Sequence, residues 1–130
     1  MKIIVDGYNL INKWPGLIEA ADSSIEFARQ RLFEQVQAYC DATGDEAIIV
    51  YDGSRNERTI EEGSPTVVFS MKGETADTVI EALATNMTDK GSIRVVTDDR
   101  VLGNFITGLN AFVISTQLFE SEIKRVGYTP

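Results

Sequence analysis

No histidine occurs in the sequence. Its absence removes Ser-His-Asp and Cys-His catalysis, histidine metal sites and the side chain most often used as a general acid or base. A single cysteine, Cys40, excludes an internal disulfide and any multi-cysteine metal centre. It sits on an apolar helical stripe and reads as a core residue rather than a nucleophile. No run approaches the roughly 20 apolar residues that span a bilayer. Positive charge is scarce too: 12 basic residues against 20 acidic ones leave a net charge of −8. Binding nucleic acid by charge alone needs clustered Lys and Arg to neutralise phosphate, so that mode is disfavoured unless a bound cation supplies the missing charge. Neither a GxxxxGK[ST] phosphate loop nor a GxGxxG turn is present, which sets aside nucleoside-triphosphate and dinucleotide chemistry. Carboxylates, amides, hydroxyls, Lys and Arg are left to carry any reaction, together with a hard cation.

What is present has the composition of an ordinary globular chain, 43% hydrophobic and 25% charged, and 130 residues suit one compact domain over 1–130. The start, Met-Lys-Ile-Ile-Val-Asp, puts an acid where a signal peptide would still be apolar and reads as cytoplasmic. Short β-like runs alternate with helical ones, the sign of an α/β fold. Ile3-Ile4-Val5 fits a buried central strand ending at Asp6. Ser23 and Glu26 have capping-box spacing, and Ile25, Ala28, Leu32, Val36, Tyr39 and Cys40 follow at helical intervals up to Gly44. Residues 47–51, 66–70, 92–97 and 111–114 read as further strands. A helix from about Thr75 carries Ala76, Val79, Ile80, Leu83, Ala84 and Met87. A shorter one carries Val101, Leu102, Phe105 and Ile106 and stops at Gly108. Ser115 or Thr116 caps a last helix with Leu118, Phe119 and Ile123. Residues 54–63 show no clear period. The expected fold is a three-layer α/β/α domain with a central parallel sheet of about five strands, order 3-2-1-4-5. Its ligand crevice opens at the switch point between strands one and four.

The acids fall where that crevice should be. Asp6 ends strand one, Asp52 ends strand two, and Asp98 and Asp99 end strand four. Asp77 lies in the first turn of the helix after strand three, where the helix dipole favours a carboxylate, and Glu74 just precedes it. Converging carboxylates without counter-charge repel until some protonate or a cation joins them. Oxygen-only ligands suit Mg²⁺ or Mn²⁺ rather than Zn²⁺, and such ions acidify water and orient phosphate. Each acid alone has a plainer reading. A strand-end Asp is more often a turn former or helix cap, Asp52-Gly53 is a turn dipeptide, Asp98 could cap the following helix, and Glu81 belongs to a solvent face. The signal is the set.

Asp6-Gly7-Tyr8-Asn9-Leu10-Ile11, followed by Trp14-Pro15, resembles the opening of the YacP-like NYN domains, a branch of the PIN-like nucleases. Tyr51-Asp52, Glu74-Thr75-Ala76-Asp77 and Val95-Val96-Thr97-Asp98-Asp99 extend the resemblance over nearly the whole chain. It implies a PIN-like fold and Mg²⁺- or Mn²⁺-dependent endoribonuclease activity. It matches Asp6, Asp77 and Asp99 to the metal-binding acids, Asn9 to an amide that orients water or phosphate, and Asp52 to a supporting acid. Relatives typically read Thr-Ser-Asp where this chain has Thr97-Asp98-Asp99, which assigns the ligand to Asp99 and leaves Asp98 as an extra acid and a secondary metal candidate. Thr97 is then a supporting hydroxyl, and Glu74 a further metal or proton-transfer candidate. Residues 100–103 lack the Glu-Gln pair of relatives, and relatives commonly run on into a basic tail where this sequence stops at Pro130. Members of the family are linked to RNA turnover and translation. The partners expected are single-stranded RNA and, from the family's link to translation, the ribosome; a second copy of the chain is a further expectation, and no membrane is expected.

For RNA contacts, Arg55, Arg58, Lys72 and Arg100 fall in loops expected to rim the crevice, and Tyr8 and Trp14 could stack on bases. The plainer readings are solvated loop cations and a Trp14 that packs beside Pro15. A catalytically inactive RNA- or protein-binding module is the alternative, separable by metal titration. A phosphatase would want a second Asp where Tyr8 stands, and a phosphoacceptor receiver would want a Lys where Ser115-Thr116-Gln117 stand.

Overall fold

The chain forms three layers in a computed structural model that describes residues 1–87 and 89–126. β1 (Lys2–Asp6) takes the middle of the sheet because its centre has no polar face to offer water: Ile3, Ile4 and Val5 are each at most 1% exposed. Ile3 and Val5 enter one core and Ile4 the other, the alternation of a strand covered on both sides. Each such burial stabilises by roughly 1.5–3 kcal/mol. One face is covered by α1 (Gly7–Ile11), α2 (Pro15–Ser23), α3 (Ile25–Thr43) and α6 (Thr116–Arg125), through Leu10, Leu17, Leu32 and Phe119. The other is covered by α4 (Ala76–Asn86) and α5 (Arg100–Gly108), through Ile80, Leu102 and Ile106.

Five strands run parallel in the order β4 (Thr66–Phe69), β2 (Glu46–Tyr51), β1, β5 (Ile93–Val96), β6 (Phe112–Ile114). This is the arrangement expected from the sequence. A sixth strand, β3 (Thr59–Glu61), pairs antiparallel with the β4 edge, within the segment that showed no period. Its three residues are half-buried or exposed, so neither face carries an apolar pattern to read.

The first crossover holds more helix than expected. α1 and α2 precede α3, and Pro15 occupies the first turn of α2, where its missing N–H and fixed φ are harmless. The cap of α3 is Ser24, whose side chain accepts from the Phe27 N–H at 3.0 Å, rather than Ser23. Gly44 ends α3 at φ 79°, in the left-handed conformation that favours glycine. Of the stripe expected on α5, Leu102 and Ile106 are buried while Val101 and Phe105 stay exposed, and Leu118 of α6 is exposed as well. Cys40 is buried on α3, as its place on the apolar stripe implies, and burial pushes its thiol up to about 11. Among the described residues, no helix is long and apolar enough to cross a membrane.

Register decides where the strand ends land. Asp6 is level with Val50 of β2, and Val5 with Val96 of β5. Thr97 therefore arrives beside Asp6, and Asp52 emerges just past it on the same edge of the sheet.

Candidate active site

Asp6 is 9% exposed, an unusual place for a carboxylate. It is there because the apolar run before it must be central, and because Gly7 allows an immediate turn into α1. A Cβ on Gly7 would lie 2.3 Å from the Tyr51 ring. Oδ2 of Asp6 accepts from the Thr97 hydroxyl at 3.2 Å. That hydroxyl in turn accepts from the Asp99 N–H at 3.1 Å. Asp99 caps α5, its Oδ1 accepting from the Leu102 N–H at 2.8 Å.

Asp52 reaches α4 from the end of β2. Its Oδ1 accepts from the Ala76 N–H at 2.8 Å, in the turn that presents Asp77. Gly53 permits this path: a Cβ there would strike the Ser70 carbonyl at 2.1 Å, and its N–H donates to the Ser70 hydroxyl at 3.0 Å. Thr75 caps α4 by accepting from the Thr78 N–H. Asp77 then occupies the first turn, half-buried and off the apolar stripe.

Electrostatics link these acids. Burial first, then the charge of Asp77 and to a lesser degree that of Asp52, raise the Asp6 carboxyl from 3.8 to about 6, against the opposing pull of the Thr97 hydroxyl and the Asn9 backbone N–H. Asp77 is also raised, by burial and then by Asp99, Asp52 and Glu81. Among the described residues, none of Asp6, Asp52, Asp77 and Asp99 has a Lys or Arg ion-pair partner. Nor do any three His, Cys, Asp or Glu side chains there stand close enough to enclose an ion as placed. The donor set is nonetheless that of a hard cation: oxygen throughout, with Asp6 buried, Asp77 half-buried, Asp52 and Asp99 exposed, and no counter-charge among the described residues. Asp52 and Asp99 each fix one oxygen on a backbone N–H, and the second has no hydrogen-bond partner among the described residues.

Several residues singled out in the sequence go elsewhere. Asp98 turns away: Oδ1 and Oδ2 accept from the Thr116 N–H and hydroxyl at 3.0 and 2.6 Å, with Lys13 at 4.0 Å. Asn9 is brought near by its side-chain oxygen, which accepts from the Asp98 N–H at 2.9 Å. Glu74 grips Arg58 through both oxygens, at 2.8 and 2.6 Å, and that pairing holds its carboxyl below the ordinary range. Neither Glu74 as a metal ligand nor Arg58 as a free RNA contact fits this pairing. Trp14 is 4% exposed, donates to the Thr116 carbonyl at 2.9 Å and packs on Phe119, so it is closed to bases. Tyr8 is half-buried, packed at a 50° tilt against Tyr51 with ring centroids 4.7 Å apart, and its hydroxyl accepts from Arg29 at 2.9 Å. Arg55, Lys72 and Arg100 are exposed. A backbone bond from the Lys72 N–H to the Arg55 carbonyl ties two of them together, and Arg100 follows Asp99.

Two contributors escaped the sequence reading. Glu81 is half-buried and adds to the repulsion on Asp77; their four-residue spacing on one helix was the available signal. Arg29, on the polar side of α3, faces Tyr8 and had no local signal at all.

The sequence profile of the YacP-like NYN domain matches residues 3–128. The protein YacP of Bacillus subtilis (strain 168) is 35% identical over 103 residues, 75% of this chain and 59% of its own. The chain thus spans 59% of the length of that curated relative. A crystal structure of Rae1 (YacP) from Bacillus subtilis superposes with a TM-score of 0.82 at 31% identity, covering 97% of this chain and 75% of that one. A mutant form of the same protein gives the same score, covering 76% of its chain.

Proposed function

This chain belongs to the YacP-like NYN domain family, and on that premise we propose that it is a metal-dependent endoribonuclease that hydrolyses RNA phosphodiester bonds in the cytoplasm. One observation carries the reading: the Asp6 carboxylate is 9% exposed with no basic partner among the described residues, while Asp77 and Asp52 add negative charge to its surroundings. A purely structural acid would be paired or solvated, because unpaired buried charge is expensive.

In this reading Asp6, Asp77 and Asp99 are the residues that would hold Mg²⁺ or Mn²⁺, and the ion would supply counter-charge for them, attraction for the phosphate and a lowered pKa for water. Thr97 fixes the rotamer of Asp6 and the approach of Asp99 through one hydroxyl. Asp52 braces the first turn of α4 and adds negative charge beside Asp77. The Asn9 amide NH₂ has no protein partner among the described residues and is available to orient water or a phosphate oxygen. Single-stranded RNA is the proposed partner. Ribosome docking stays an expectation of the family resemblance, and self-association an expectation without support from the fold.

The test uses purified protein, single-stranded RNA and Mn²⁺. Cleavage by the wild type and its loss in Asp6→Asn support the reading, and equal cleavage by both ends it. The absence of a ready three-acid cage favours a second reading, a module that binds RNA without cutting. Such a module should show no Mn²⁺-dependent thermal stabilisation.

A further inference from the structure

A cavity of about 660 Å³ opens beside the acids, between α3 and the β2–β4 side of the sheet, with Asp52 on its rim. Its volume lies in the range of sites that take a small organic ligand. Its wall is an aromatic ladder. Tyr8 packs on Tyr51 at 4.7 Å, and Tyr51 stacks on Phe69 at 5.3 Å with 27° between the rings. The Arg29 guanidinium lies 5.9 Å from the Tyr51 centroid and 5.6 Å from that of Phe69, pinned by its bond to the Tyr8 hydroxyl. Arg55 stands at the mouth, exposed. The buried Tyr51 hydroxyl has no hydrogen-bond partner among the described residues.

Bracing the core explains Tyr51 and Phe69 but not an open cavity in front of a pinned guanidinium. A flat cation fixed on rings is a surface on which a nucleobase stacks, and Arg and aromatic planes are the standard platforms for unpaired bases. Purines present the larger π face. Acids also line the cavity, Glu26, Asp52 and Glu61, and they disfavour a pocket for bare phosphate. They suit the amino and imino donors of a base edge.

We propose that this cavity is a base pocket that takes one purine nucleotide of the RNA strand next to the bond being cut, stacked on Arg29 and Tyr8 with its phosphate near Arg55. The pocket sets base preference; it deepens the nuclease reading and rests on it for the meaning of "next to the cut".

The test separates binding from cleavage. Fluorescently labelled hexa-adenylate and hexa-uridylate are titrated with the protein in EDTA, where no divalent ion is available. The wild type should bind hexa-adenylate more tightly. Arg29→Ala should weaken that binding about tenfold and erase the difference between the two RNAs. Arg29→Lys, which keeps the charge and loses the plane, should behave nearly as badly. Arg29→Lys also stands in if Arg29→Ala does not fold, and Arg55→Ala, at an exposed position, should weaken both RNAs alike. With Mn²⁺, mapped cuts in a mixed-sequence RNA should show a purine at one fixed position, lost in Arg29→Lys. Unchanged affinity and unchanged preference in the Arg29 variants, with the wild type still cutting, overturn the pocket and leave the nuclease standing. Arg29-dependent binding of hexa-adenylate without any cleavage keeps the pocket and sinks the nuclease.

Discussion

The Thr97 hydroxyl donates to Oδ2 of Asp6 across 91 positions of sequence, at 3.2 Å. Because the same oxygen accepts from the Asp99 N–H, it couples the end of β1 to the start of α5. Replacing it with a methyl group keeps the volume and removes both bonds. Thr97→Val should lower metal affinity and cleavage at neutral pH by about 10- to 100-fold, the usual effect of losing a group that orients a ligand. It should also raise the Asp6 pKa further, since this hydrogen bond lowers it. Part of the lost activity should return at higher pH, read from a pH–rate profile. A flat, pH-independent loss would show that Thr97 only packs.

A second expectation concerns stability without metal. The folded value of Asp6 lies above its ordinary 3.8, at about 6. The contribution of the protonated form is therefore complete below about pH 3.8 and is lost as pH rises through 6, so ionised Asp6 destabilises the fold at neutral pH. The size is up to about 3 kcal/mol. In EDTA at pH 7.5, Asp6→Asn should melt higher than the wild type, and the advantage should vanish near pH 4. Adding Mn²⁺ should reverse the order, stabilising the wild type alone. A variant that melts lower at both pH values would contradict the buried, uncompensated carboxylate.

Adjacent acids should behave differently. Asp99 keeps one oxygen free of hydrogen bonds among the described residues, whereas both oxygens of Asp98 are taken by Thr116. At a Mn²⁺ concentration 100 times Kd, binding is worth about 2.7 kcal/mol, or roughly 5–10 °C in Tm for a chain of this size. Asp99→Asn should abolish that shift. Asp98→Asn should retain it, while lowering the metal-free Tm through the loss of about 1 kcal/mol of charged hydrogen bonding to α6. Thermal melts with and without metal decide. Loss of the shift in Asp98→Asn would move the ligand one residue back.

How far the sequence reached follows from what kind of pattern each feature leaves. The five parallel strands were legible because buried strands must be apolar, and Ile3-Ile4-Val5 has no other use. The strand-end rule then placed Asp6, Asp52 and Asp99 on one edge, and helix chemistry placed Asp77. Which Asp of the pair at positions 98 and 99 turns inward was not readable from periodicity, because it depends on the distant Thr116. Glu74 failed for the same reason: its partner Arg58 arrives on a loop that shows no period. Arg29 left no local signal in the sequence, because its role depends on the fold laying it over Tyr51 and Phe69.

Trp14 offers the last test, since its sequence context suggested a base platform and its place in the fold is a core. The indole is closed off between α2 and α6, with its N–H on the Thr116 carbonyl and its ring 6.1 Å from Phe119. Trp14→Ala should destabilise by about 3–5 kcal/mol through the cavity it leaves and the unpaired carbonyl. Trp14→Phe, which refills most of the space, should lose less and remain folded at 25 °C. If the ring only packs, Trp14→Phe binds hexa-adenylate as tightly as the wild type once corrected for the folded fraction, whereas Arg29→Ala does not. A drop in RNA affinity at unchanged Tm would instead put the indole in contact with RNA, which a side chain 4% exposed can reach only if α2 opens.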